Sequence, residues 1–208
     1  MRELDSAELK SRSELVGSDW QGIFAPYEAF YIHSILYSAG RATEAFRRFD
    51  VARSLTDTAA TQVSAIHEAL SHAAALSRYF WPSGGGAKHM KALRDARGGK
   101  LRQAFDLTDG SPLRDRNLRD ALEHFDERLD SHLLTLDSGN FFPAAMVGDA
   151  ASAGDPTSHF FKLVDPAAGL FVLLSDTFEF RPIRAEVESV YERAAAMDAD
   201  GSRLTRRK

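Results

Sequence analysis

The sequence predicts a mainly α fold: a helical bundle with a small β-hairpin inserted before the C-terminal helix. Three observations predict it. Apolar residues recur every three or four positions through several long segments, clusters of glycine, proline and serine separate those segments, and short β-rich runs follow Gly139. Tyr27, Tyr31, Ile35, Ala42, Phe46 and Phe49 fall mostly on one helical face. They predict a long helix from about Pro26, which suits a first turn, to about Arg48, with Gly40 its weak point. Ala59, Val63, Ile66, Leu70, Ala73 and Leu76 mark a second helix over about 57–79, capped by Thr56 or Asp57 and ended by Trp81-Pro82-Ser83-Gly84-Gly85-Gly86. A shorter helix follows over Ala87–Ala96, interrupted at Gly98-Gly99, with another turn or two over Lys100–Phe105.

After the break at Asp109-Gly110-Ser111-Pro112, Leu118, Leu122, Phe125, Leu129, Leu133 and Leu136 form the clearest amphipathic stripe in the chain. They predict a single fourth helix from Pro112 or Leu113 to about Leu136. Ser158–Val164 and Leu170–Leu174 are β-rich and flank a turn at 165–169, and 177–180 alternate like a strand with one wet face. A last helix is expected from near Pro182, with Ile183, Val187, Val190, Ala194 and Met197 on its buried side. The expected organisation is an N-terminal arm or short peripheral helix over 1–20, one domain over 21–200 with the hairpin near 158–180, and a basic disordered tail over 201–208.

Composition narrows the chemistry. A chain of 208 residues can bury a sizeable core without disulfides or metals. It has no cysteine, which removes thiolate metal sites, iron–sulfur clusters and cysteine nucleophiles. The net charge of -4 argues against a protein that coats nucleic acid generally, while leaving room for a local basic site. No apolar run is long enough to span a membrane and the first 19 residues lack the apolar core of a secretory signal, so a cytoplasmic location without a membrane partner is expected.

Several motifs fail on spacing. Gly99-Lys100 lacks both the first glycine and the hydroxyl residue of a phosphate loop. His67 and His72 are five apart, not the four that brings two histidines to one zinc ion. No histidine has a glutamate three residues before it, which closes the di-iron bundle option. No metal and no cofactor are expected.

One string on the fourth helix stands apart: Arg119-Asp120-Ala121-Leu122-Glu123-His124, followed by Phe125-Asp126-Glu127-Arg128. Metal-free RNA cleavage needs a group of near-neutral pKa to move the proton of the 2′-hydroxyl or of the leaving oxygen, and fixed positive charge to stabilise the phosphorane. Histidine and arginine supply these. The string resembles the R-x4–6-H motif of the HEPN superfamily, in which the residue after arginine is usually Asn, Asp or His. The longer string looks like bacterial HEPN-like proteins, and the helical order extends the resemblance over about 27–136.

The resemblance implies a metal-independent endoribonuclease in a toxin, defence or RNA-processing setting. Arg119 would stabilise the phosphorane, His124 would serve as acid/base, Asp120 would orient them, and Glu123, Arg116 and Asn117 would support them. It also implies a homodimer with a composite site, RNA as substrate, and an antitoxin or nucleotidyltransferase as a further partner. On one straight helix Arg119 and His124 diverge by about 140°, a difficulty that a two-fold axis beside the fourth helix relieves. Arg116 is the second candidate for the cation, and Asn117 lies nearly on the face of His124. The alternative is a non-catalytic HEPN-like binding module that partners a nucleotidyltransferase or another regulator.

Overall fold

The computed structural model describes residues 3–205. Among them are seven α-helices: α1 (Ser6–Asp19), α2 (Glu28–Arg53), α3 (Ala59–Phe80), α4 (Lys88–Ala104), α5 (Arg116–Glu123), α6 (Phe125–Leu133) and α7 (Phe180–Ala199). A four-stranded sheet precedes α7: β1 (Asn140–Val147), β2 (Ser158–Asp165), β3 (Leu170–Leu173) and β4 (Asp176–Glu179). The mainly helical class with a small β element before the last helix is therefore observed, but that element is a mixed sheet rather than a hairpin. β2, β3 and β4 form an antiparallel meander, and β1 pairs parallel with β2 along an edge. β1 escapes a period-2 reading because it contains Pro143, breaks register between Phe142 and Ala145, and is exposed along much of its length.

Backbone contacts divide the chain into two compact units: Met1–Ser38 with Ala75–Arg114 and Ser189–Lys208, and Ala39–Ala74 with Asp115–Glu188. In the first unit, Ile32, Ile35, Leu76, Phe80, Leu101 and Phe105 are fully buried, and the Phe80 and Phe105 rings meet edge to face at 5.4 Å. α1 is capped by the Asp5 carboxylate, which accepts from the Glu8 N–H at 2.8 Å, so the first segment is an ordered helix. α4 runs unbroken through Gly98-Gly99, where two helical pieces were expected. A Cβ at Gly98 would lie 2.6 Å from the Phe80 carbonyl oxygen, so this glycine serves close packing rather than a break.

This unit also fixes part of the segment expected to be a disordered tail. Leu204 is buried and its N–H donates to Glu28 Oε2 at 3.1 Å, while Glu28 Oε1 lies 2.9 Å from Lys100 Nζ. Residues 206–208 of the expected tail lie outside the described residues.

In the second unit, Phe180 at the start of α7 packs on Phe46 (6.5 Å, stacked) and Phe49 (5.6 Å, edge-on) of α2. Each such ring removed from water contributes about 1.5–3 kcal/mol. α2 continues to Arg53, beyond the expected Arg48, and α7 begins at Phe180, two residues before Pro182. The sheet has its own apolar cluster of Phe160, Leu163 and Val172, with Phe142 stacked on Phe160 at 4.6 Å.

The expected fourth helix is broken. The stretch 112–136 is not one helix but a 3-10 turn (Pro112–Arg114), α5 and α6, with α6 ending at Leu133. The axis breaks at His124, whose backbone sits at φ -113 and ψ 38. Neither glycine nor proline marks the break, and apolar residues keep their spacing across it, so the amphipathic pattern runs straight through.

Candidate functional site

The Asp115 carboxylate caps α5 by accepting from the Asn117 N–H at 2.8 Å. α5 buries Leu118, Arg119 and Ala121. Arg119 is thus a core-facing residue. Its side chain is only 10% exposed, and its Nε lies 3.8 Å from Asp120 Oδ1. The last α5 bond runs from the His124 N–H to the Asp120 carbonyl at 3.1 Å, and the His124 carbonyl accepts the first α6 bond from Arg128 at 3.0 Å. His124 is therefore both the end of one helix and the cap of the next.

The neighbouring residue anchors this junction. The Phe125 ring meets Phe161 of β2 edge-on at 5.5 Å, and Lys162 Nζ lies over both rings, 5.1 Å from Phe125 and 4.7 Å from Phe161. Burial pushes the Lys162 amine below the usual lysine range. On α3, His67 is held down to about 4, by burial first and by the Lys162 charge second.

Around the junction opens a cleft of about 590 Å³, lined by α6 and the turn between β3 and β4. His124, Arg128 and His132 face it, together with Asp120, Glu127 and Asp176. Residues four apart on a helix share a face and rise about 6 Å per step. His124 and Arg128 are thus neighbours on one face of the cleft, while His132 lies about 12 Å along the axis from His124. His124 is 57% exposed, with Nδ1 3.6 Å from Glu127 Oε2. Arg128 Nη1 donates to Asp176 Oδ2. The turn that carries Asp176 holds Leu174 at φ 56, a left-handed conformation that a leucine rarely adopts, and the Leu174 side chain is buried. Strain of this kind persists only where surrounding contacts enforce it, and it clusters at functional sites.

Of the sequence-predicted residues, His124 and Asp120 line the cleft. Arg119 does not, and Arg116, Asn117 and Glu123 are exposed outside it. The 140° divergence of one straight helix no longer applies, because the axis breaks at His124. The cation that shares the cleft with His124 is Arg128. The sequence carried a signal for it in the spacing 124, 128 and 132. It carried none for Asp176, which reaches the cleft from the sheet.

Chemically, the cleft offers an exposed imidazole, a guanidinium clamped by a carboxylate, and two further acids. With both histidines neutral, three carboxylates face one guanidinium. Among the described residues, no three His, Asp or Glu side chains are grouped to hold a metal ion. No helix of the described residues is long and apolar enough to cross a membrane. No protein-family model, curated protein or solved structure matches the chain.

Proposed function

We propose that the α6 cleft cleaves RNA without a metal ion, as the HEPN-like reading of the sequence implies, with Arg128 rather than Arg119 as the cation at the phosphate. The observation that carries this reading is the placement of His124 and Arg128 one helical turn apart on a single open cleft. In the reaction the ribose 2′-oxygen attacks the adjacent phosphorus and the bond to the 5′-oxygen breaks, leaving a 2′,3′-cyclic phosphate and a free 5′-hydroxyl. His124 moves the proton, from the attacking hydroxyl or to the leaving oxygen. The Arg128 guanidinium donates to the non-bridging oxygens as charge builds on them. Asp176 aims Arg128, and Glu127 sits beside the imidazole. Arg119 acts from the buried side as a positioning residue for Asp120. In this reading the chain works as a two-fold dimer that brings a second His124 to the substrate, in a toxin, defence or RNA-processing role.

A second reading has its own support. Asp120, Glu127 and Asp176 make the cleft acidic when its histidines are neutral, and Arg119 is buried. Such a surface suits a non-catalytic module that binds a basic face of a partner, such as a nucleotidyltransferase or another regulator. Incubating the purified chain with RNA in excess chelator separates the two. The catalytic reading expects cleavage that depends on His124 and Arg128. The binding reading expects intact RNA.

A further inference from the structure

We infer that α4 is a polyanion-binding surface and that its ligand is the phosphate backbone of single-stranded RNA. The choice of RNA among polyanions rests on the ribonuclease reading; the surface itself does not. α4 carries six lysines and arginines against the single acid Asp95, in a chain whose net charge is -4. α4 thus carries a local excess of five positive charges, the footprint expected of a backbone-binding element in an otherwise acidic chain.

Most of this charge is not neutralised. Lys91 pairs with Asp95 at 2.8 Å and Lys100 with Glu28 at 2.9 Å. The arginines are held by backbone carbonyls instead. Arg94 donates to Gly85, Arg97 to Arg78 at 3.1 Å, and Arg102 to Phe80. A carbonyl orients a guanidinium but leaves its charge in place. Of the three acids of the adjoining α1, Glu8 and Glu14 are within ion-pair distance of Arg12 and Lys10 of their own helix, and the Asp19 carboxylate accepts from Ser18 Oγ at 2.7 Å. Lys88, the first residue of α4, is exposed and Lys91 is half exposed. The loop before them, residues 83–86, is exposed throughout and presents three successive glycines, so no side chain there obstructs an approaching phosphate backbone.

The test is fluorescence anisotropy of a labelled single-stranded RNA oligonucleotide with the full chain, measured from about 50 to about 200 mM salt. It is run on the wild type and again with His124→Ala, so that binding is read apart from cleavage. The expected affinity falls with salt, with a log–log slope of about -2 to -3, as three or four neutralised phosphates require on a single strand. Lys88→Glu with Lys91→Glu is expected to weaken binding at least about tenfold at low salt and to reduce the slope by about 1.4, the share of two contacts. Lys88→Ala with Lys91→Ala gives the same slope change without placing a like charge beside Asp95, and circular dichroism checks that both pairs fold.

RNA affinity and salt slope unchanged in both folded pairs would overturn the inference. So would a wild type that ignores RNA, or one that binds phosphatidylserine vesicles in place of RNA. Salt-dependent binding through α4 without any cleavage would leave this surface standing and remove the ribonuclease reading. Cleavage with no contribution from α4 would do the reverse.

Discussion

Arg128 on α6 and Asp176 at the start of β4 are joined by a direct hydrogen bond between guanidinium and carboxylate, although 48 positions separate them in the chain. This contact fixes the one cleft arginine that shares a helix face with His124. Asp176→Asn keeps the shape but removes the charge that aims the guanidinium. RNA cleavage is expected to fall about tenfold, equivalent to about 1.4 kcal/mol. Stability should change by less than about 1 kcal/mol, because both side chains are over a third exposed and solvent screens the pair. Parallel cleavage rates and urea melts check both parts.

Arg119 is expected to behave as a structural and positioning residue. Arg119→Ala should lower the melting temperature by about 5 °C or more, the scale of removing a buried cation from its surroundings. His124→Ala, at an exposed position, should leave the melting temperature within about 1 °C. A circular dichroism melt beside a cleavage assay separates the two roles. If Arg119→Ala abolished cleavage while leaving the melt untouched, Arg119 would be reaching the substrate.

His67 links stability to pH. Its folded pKa, about 4, lies below the ordinary histidine value of 6.5, so between these values the unfolded chain binds the extra proton. The stability this residue contributes is present above about pH 6.5 and is lost as pH falls toward 4. His67→Gln removes the titration. The melting temperature of the wild type is expected to drop more steeply than that of the variant between these pH values. Parallel melting curves would contradict the assignment of His67 as a half-buried neutral imidazole.

Glu28 and Lys100 form a buried pair in the first unit, with side chains 4% and 18% exposed. Glu28→Gln removes the charge opposite Lys100, whose amine keeps only the Ile23 and Trp20 carbonyls at 3.0 and 3.5 Å, and is expected to cost about 3 kcal/mol. Combining it with Lys100→Met should recover much of that loss. Denaturant titrations with constant m-values give the comparison.

Much of the helical frame was legible in the sequence. α2 and α3 follow their apolar stripes because each buries one face, and the breaks at 81–86 and 109–112 each combine proline with glycine. Other elements were harder to read. Gly98-Gly99 resembled a break, but Gly98 is there to admit the Phe80 carbonyl. His124 resembled a mid-helix residue because its backbone departs from helix without any glycine or proline. β1 was missed because an exposed edge strand with a proline and a register shift has no clean alternation. Asp120 and His124, singled out with Arg119 by their local string, both line the cleft, while Arg119 does not. Arg128 was legible only as spacing, and Asp176 not at all, because tertiary folding brings the sheet turn to α6.

In the proposed reaction His124 and Arg128 act as a metal-independent RNA-cleaving pair. The most direct measurement is single-turnover cleavage of a labelled RNA in excess EDTA by the wild type, His124→Ala and Arg128→Ala, with product ends identified by mass spectrometry. The wild type is expected to cut and leave 2′,3′-cyclic phosphate ends, with His124→Ala slower by about 100-fold or more and Arg128→Ala slower by a similar factor. Intact RNA with the wild type, or undiminished cleavage by a folded His124→Ala chain, would show that this pair does not cut RNA.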